Sequence, residues 1–198
     1  MRLPHLEHGF RNLANAGYEK TSDSTGRFPA PGAYNCIAWA ADDFDRDHWW
    51  WPVGGYWPFW IKREETVLCF IKTFKSLGYM LCDNSRRESC FDKVVLYAIH
   101  RSYCPQPLPQ TLRQLNSDWI PMHMARQLPD ETWTSKCGPS EDITHYTLDA
   151  LESYGPAYGS GDYYGCPVLY MRRFVLISWI VRGLQWLLWK VELIWENR

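Results

Sequence analysis

A cysteine at the start of a predicted helix is the residue of this chain best suited to nucleophilic chemistry. Cys36 follows a turn-forming Pro31-Gly32 pair, and the alanine-rich segment after it favours a helix. The unpaired N–H groups and the positive dipole end of a helix favour a thiolate over a thiol, which predicts a lowered pKa for Cys36. Because a thiolate attacks carbonyl carbons, the sequence predicts Cys36 as a catalytic nucleophile.

Such a nucleophile needs a general base, and His123 is the candidate. It lies in the strand-like segment 121–128. Catalysis requires an imidazole that accepts the thiol proton and later protonates the leaving group, so the two side chains must lie within hydrogen-bond distance. The sequence therefore predicts a Cys36–His123 pair. The alternative is two unconnected core residues, since free cysteines and strand histidines are common in protein interiors.

A third residue usually orients the imidazole of such a pair, and the chain offers several candidates. Ser135 lies in the segment that follows the histidine strand, and Asp142 lies in the segment after that. We predict these two as further catalytic residues. The sequence does not choose between them and four alternatives, which are Gln127, Glu131, Thr134 and His145.

The elements that would position these residues predict an α+β domain. Apolar residues recur with helical period in one segment, while β-branched and aromatic residues dominate others. A helix followed by a mostly antiparallel sheet is an α+β arrangement. Predicted helices cover 34–44, 64–77 and 144–153, predicted strands cover 79–82, 93–100, 119–128, 132–136 and 167–172, and prolines predict a loop over 102–114.

The chain divides into a polar, turn-rich segment 1–30, a domain 31–172 and an apolar, Trp-rich segment 173–198. Polar residues of the last segment fall on one stripe, which predicts an amphipathic helix. We expect this helix to dock on its own domain or on a second copy. The alternative is a helix that lies in a membrane interface with Arg172 and Arg173 beside it, whereas Arg182 disfavours a spanning helix.

The composition excludes several classes of function. The formal net charge is −1, so nucleic acid is not an expected partner. Seven cysteines without a Cys-x-x-Cys pair indicate neither a complete disulfide framework nor a metal site, and no cofactor is expected. The polar N-terminus has no signal-peptide pattern. These features favour a cytoplasmic protein, peripheral to a membrane only if the C-terminal helix binds one.

Several motifs resemble an uncharacterised bacterial domain family over about residues 20–172. They are YNCIAWA at 34–40, WWWP at 49–52, HMARQL at 123–128, WTSKCG at 133–138 and DITH at 142–145. The Asn-Cys-x-Ala-x-Ala and His-x-x-Arg-Gln patterns are also remotely similar to papain-like cysteine peptidases and amidases. This resemblance implies a papain-like fold, with Cys36 as nucleophile and His123 as base. The papain-like peptidases and amidases have Ser-His at the position of Thr134-Ser135. This difference implies a weakened or inactive site.

Aromatic and basic residues of these motifs are the predicted substrate-binding residues. Loop 49–57 would form a wall of the cleft, and an arginine can pair with a substrate carboxylate. The residues are Trp50, Trp51, Arg126, Gln127 and Trp133. Two functions follow as hypotheses: a cysteine-dependent hydrolase of peptides or amides, and a catalytically inactive papain-like module that binds a partner.

Overall fold

The computed structural model describes residues 2–21, 34–43, 49–154, 163–177 and 180 of the 198-residue chain. Its helices are α1 (Pro4–Gly9), α2 (Leu13–Ala16), α3 (Cys36–Ala40), α4 (Val67–Ser76), α5 (Leu112–Asp118) and a 3-10 helix (Leu148–Leu151). Its strands are β1 (Tyr18–Lys20), β2 (Met80–Cys82), β3 (Phe91–His100), β4 (Trp119–Gln127), β5 (Trp133–Lys136), β6 (Asp142–His145) and β7 (Cys166–Phe174).

The strands of the described residues form one sheet in the order β1-β6-β5-β4-β3-β7-β2. Every pairing is antiparallel. The α+β class and the mostly antiparallel sheet that the sequence predicts are therefore confirmed. The predicted strands 119–128 and 132–136 correspond to β4 and β5, which pair as a hairpin because the chain turns between them at 129–131.

Successive residues of a strand point to opposite faces of the sheet. Apolar side chains therefore lie on both faces, and each face has its own hydrophobic core. One core contains α3, α4 and strand residues such as Leu96 and Met124. The other contains α1, α2, the 3-10 helix and strand residues such as Tyr97 and Ala125. We name these two sides of the sheet the α3 face and the α1 face. They decide which functional side chains can meet.

Helix α3 begins at Cys36 because Asn35 caps it. The Asn35 side chain accepts a hydrogen bond from Ala38 N at 3.1 Å, as an N-cap residue does. Its amide group also donates to Trp50 O at 2.8 Å, so the cap ties α3 to the loop that follows. The helix ends earlier than predicted, at Ala40, and Asp42 then adopts a left-handed φ of 64°. Residue 44, the predicted end, lies outside the described residues.

The N-terminal segment is more regular than the sequence prediction of a turn-rich stretch. Pro4 occupies the first turn of α1, a position where its missing N–H costs nothing. Leu6, Phe10 and Leu13 follow at spacings of four and three, which places them on one side of the two short helices. All three are buried in the core of the α1 face. The segment is thus part of the domain up to β1.

Two other predictions fail where long-range contacts or capping override local propensity. The predicted helix 144–153 is instead the end of β6 followed by the 3-10 helix, because β6 pairs with both β5 and β1. The predicted loop 102–114 ends in α5, which starts with a capping box of Thr111 and Gln114.

Within the described ranges, no helix combines the length and the apolar character needed to cross a bilayer. Most of the predicted C-terminal helix, 181–198, lies outside these ranges.

Candidate functional site

Cys36 and His123 lie on opposite faces of the sheet. Helix α3 packs against β4 and β5, and Cys36 belongs to the core that contains Leu96 and Met124. His123 directly precedes Met124 on β4, so its side chain points to the other face. There it contacts Tyr97 and Tyr164, both of the α1-face core. The predicted Cys36–His123 pair is not formed.

His123 is a buried, neutral side chain. Its ring stacks on Tyr164 with centroids 4.1 Å apart and planes 6° from parallel, and it meets Tyr97 edge-on at 5.4 Å. Burial, with a smaller contribution from the charge of His145, lowers the pKa of His123 well below its ordinary value. A histidine enclosed in this way cannot exchange protons readily with a substrate on the α3 face.

A hydrogen-bonded chain connects His123, Ser135 and His145 on the α1 face. Ser135 Oγ lies 3.1 Å from His123 Nε2 and 3.0 Å from His145 Nε2, and His145 Nδ1 lies 2.7 Å from Thr147 O. Because a carbonyl only accepts, His145 carries its proton on Nδ1 and accepts from Ser135 at Nε2. Ser135 Oγ then accepts from His123 Nε2–H. Each proton of these three hydrogen bonds thus has a single position. This arrangement indicates that the chain has a structural role.

The Cys36 thiol is protonated and almost sealed, with 6% of the residue exposed. Burial raises its pKa from 9.0 to about 11. The backbone groups of Met124, Cys36 and Ile37 and the charge of Lys136 act in the opposite direction but are weaker. The N–H groups at the start of the helix thus do lower the pKa of Cys36, as inferred from the sequence. The predicted net lowering is nevertheless wrong, because desolvation of the buried thiolate raises the pKa by more than these groups lower it.

The polar side chains that share the α3 face with Cys36 form what we name the charged cluster: Tyr34, Arg126, Lys136 and Asp142. Tyr34 stacks on Trp39 with centroids 5.8 Å apart. Lys136 Nζ lies 5.3 Å from the Tyr34 ring centroid, and the Arg126 guanidinium lies 4.6 Å from that of Trp39. Two cations thus flank a pair of stacked rings beside the thiol.

Asp142 belongs to this cluster and not to the histidine chain. Its Oδ2 accepts a 2.5 Å hydrogen bond from Tyr34, and its Oδ1 has no hydrogen-bond partner in the described part of the chain. Burial raises the pKa of Asp142, whereas the Tyr34 bond and then the charges of Lys136 and Arg126 lower it. Asp142 therefore cannot orient His123. Ser135 does contact that imidazole, on the face away from Cys36.

Lys136 and Arg126 are anchored within the protein. Lys136 donates to Ser140 O, and burial lowers the pKa of its ammonium group. Arg126 forms a 2.5 Å ion pair with Asp42. Lys136 is only 1% exposed, although lysines are rarely buried in proteins. The signal that could have placed it is its register: Lys136 pairs across the strands with Asp142, so the two share a face.

The remaining predicted substrate-binding residues have structural partners. Trp50 is buried and donates to Asp43 Oδ2 at 2.9 Å, while Trp51 donates to Glu65 Oε1 at 2.7 Å. Trp133 is buried in the α1-face core. Gln127 donates to Ser85 O at 2.9 Å. Trp50, Trp51 and Gln127 thus each donate a hydrogen bond within the protein, and their role in substrate binding stays a prediction.

The described residues contain no group of three His, Cys, Asp or Glu side chains placed to hold a metal ion. All seven cysteines are free thiols. Cys90 is exposed, whereas Cys36 is buried, so the two provide an internal comparison of thiol reactivity.

Comparison with protein families matches residues 26–172 to a family described as a domain of unknown function (DUF7689). This match confirms the sequence-based prediction of an uncharacterised domain family. No curated protein and no solved structure matches the chain.

Proposed function

Since the chain belongs to the DUF7689 family of unknown function, its activity has to be argued from geometry, and we propose that it is a catalytically inactive, papain-like interaction module. The observation that carries this proposal is the placement of Cys36 and His123 on opposite faces of the sheet. A cysteine hydrolase needs a thiol and a base in contact, and these two residues are separated by the thickness of the sheet.

The papain-like part of the proposal is supported by the arrangement of α3. A helix that begins at a cysteine packs its buried side on an antiparallel sheet. The free thiols support a reducing compartment such as the cytoplasm. Besides the placement of His123, the protonation state of Cys36 differs from that of a working site, because burial favours the unreactive thiol.

The loop 49–61 supports a role in binding a partner. Trp50 and Trp57 anchor it in the α3-face core, and Arg63 donates to Gly55 O at 3.0 Å. Phe59, by contrast, is 81% exposed, and its ring lies 4.8 Å from that of the exposed Trp60. Exposed aromatic side chains that lie together are common anchors of protein interfaces.

Native thiol alkylation tests the proposal, with Cys90 as the internal standard. A rise in pKa from 9.0 to about 11 reduces the thiolate fraction of Cys36 near neutral pH by about 100-fold. We expect iodoacetamide at pH 7.5 to label Cys36 at least about 100-fold more slowly than Cys90, as measured by mass spectrometry of peptides. In denaturant the two rates should converge. Labelling of native Cys36 as fast as Cys90 would overturn the proposal.

One observation favours a second candidate, a cysteine-dependent hydrolase of peptides or amides in which Lys136 serves as the base. Lys136 shares the α3 face with Cys36, and its charge lowers the pKa of the thiol. In its neutral form Lys136 would accept the thiol proton while the sulfur attacks the carbonyl carbon. The resulting ammonium group would protonate the departing amine as the C–N bond breaks, and water would then hydrolyse the thioester to regenerate the thiol. Treatment with p-nitrophenyl acetate separates the candidates. If Cys36 is acetylated faster than Cys90 and Lys136→Met abolishes this reaction, the result supports the hydrolase. If Cys36 is not acetylated faster than Cys90, the result supports the interaction module.

A further inference from the structure

A groove lies between the proline-rich loop 105–109 and helix α5, away from the charged cluster. The groove is open to solvent and has a volume of about 310 Å³. Two of its lining residues are His100 and the buried Trp119, whose rings meet edge-on with centroids 5.5 Å apart. The remaining lining residues are Gln106, Pro107, Leu108, Pro109, Gln110, Gln114 and Asp118.

The loop that forms one wall of the groove is stiff and extended. Pro105, Pro107 and Pro109 alternate with Gln106 and Leu108. A proline fixes its own φ and forces the residue before it into an extended conformation. The loop therefore loses little conformational entropy when a ligand binds along it.

The backbone of this loop has unused hydrogen-bonding groups. Within the described residues, the N–H and C=O groups of Gln106 and Leu108 form no hydrogen bond, and both residues are exposed. An extended segment with free donors and acceptors can pair with a second extended chain, as a sheet edge does. The other N–H positions are prolines, so only these two residues can donate between 105 and 109.

The side chains that line the groove are suited to a peptide of neutral or positive charge. The amides of Gln106 and Gln110 have no hydrogen-bond partner in the part of the chain that the structure describes, and an amide both donates and accepts. Asp118 is the one acidic lining residue, and no lysine or arginine lines the cavity. Leu108 and Leu112 are exposed beside it and provide apolar contact.

We infer that this groove binds an extended, neutral or basic peptide segment of a partner protein, which pairs with the backbone of Gln106 and Leu108. The inference rests on the interaction-module function proposed above and names where the partner binds. The site is independent of Cys36.

The test is selection of a random 12-residue peptide library on phage against the full chain, followed by binding of the enriched synthetic peptide by fluorescence anisotropy. The decisive variants are Gln106→Pro and Leu108→Pro. Each removes one backbone N–H group, and a proline is compatible with the extended backbone between two other prolines. Gln106→Ala and Leu108→Ala are the matched controls, because they shorten the side chain and keep the N–H.

We expect each proline variant to weaken binding about tenfold relative to its alanine control, because a peptide carbonyl loses its donor. Peptides enriched equally on the wild type and on the Gln106→Pro, Leu108→Pro double variant would overturn the inference, as would failure to enrich any peptide. Circular dichroism checks that the variants fold. Failure of this site leaves the alkylation result for Cys36 unchanged, so the two proposals can fail separately.

Discussion

Tyr34 donates a 2.5 Å hydrogen bond to Asp142, and this bond joins the residue before the α3 N-cap to the first residue of β6. Both side chains are buried. The bond therefore connects two segments that are more than one hundred residues apart and holds α3 against the sheet. It also satisfies one oxygen of a carboxyl group whose other oxygen has no partner in the described residues.

Tyr34→Phe should destabilise the domain by about 1–3 kcal/mol, because the buried Oδ2 of Asp142 then loses its donor. Urea unfolding measures the change. Tyr146→Phe is the matched control, since Tyr146 donates to Glu19 at an exposed site. That control should change stability by less than about 0.5 kcal/mol. Equal effects of the two substitutions would contradict the importance of the Tyr34–Asp142 bond.

Ser135→Ala should cost about 2–4 kcal/mol, because it leaves two buried histidine nitrogens without partners. The hydroxyl group of Ser135 bridges His123 and His145 at 3.1 and 3.0 Å. Thermal and urea unfolding report the loss. Ser102→Ala removes a serine–histidine bond of similar length, 2.8 Å to His100, at the surface. A cost for Ser135→Ala no greater than for this control would show that the buried chain contributes little to stability.

Local chemistry accounts for two features of the fold. Asn35 caps α3 through its own side chain, and Pro129-Asp130 supplies the turn between β4 and β5. Both depend on residues within a few positions of one another. The last two residues of β6 fall within the predicted helix 144–153, because their strand conformation depends on distant partners such as Thr134 and Glu19, which pair with Thr144. Such pairings leave no local signal.

The candidate site was mispredicted for a related reason. Strand alternation places His123 and Met124 on opposite faces, and this much follows from the sequence. Which face receives α3 depends on tertiary packing, and α3 covers the face of Met124. The same packing buries Cys36, so the dipole argument from its position at the helix start is outweighed by desolvation. Lys136 acts on Cys36 because it shares the face of Met124.

Lys136→Met should raise the pKa of Cys36 above its present value of about 11, because the positive charge of Lys136 lowers it. The same substitution should raise the pKa of Asp142, which that charge also lowers. The pH dependence of iodoacetamide labelling at Cys36 measures the first shift. Lys75→Met, at an exposed position of α4, is the control. An unchanged labelling profile in Lys136→Met would show that the two side chains do not interact.

Stability should fall on acidification because two buried histidines are neutral in the folded state. Burial lowers the pKa of His145 from 6.5 to about 4 and that of His123 well below 6.5. Between about pH 6.5 and 4 the unfolded chain binds protons that the folded protein does not, so the free energy of unfolding decreases as pH falls. The slope should reach about 1.4 kcal/mol per pH unit for each histidine. The contribution is complete above pH 6.5.

Urea unfolding at half-unit pH steps from 7 to 4 measures this slope. His145→Gln should reduce the slope by up to about 1.4 kcal/mol per pH unit, because one group no longer takes up a proton on unfolding. His8→Gln, at an exposed position of α1, is the matched control. The slope is independent of any overall destabilisation that the substitution causes. A His145→Gln variant with the wild-type slope would show that other groups produce the acid sensitivity, and that His145 is not held neutral by burial.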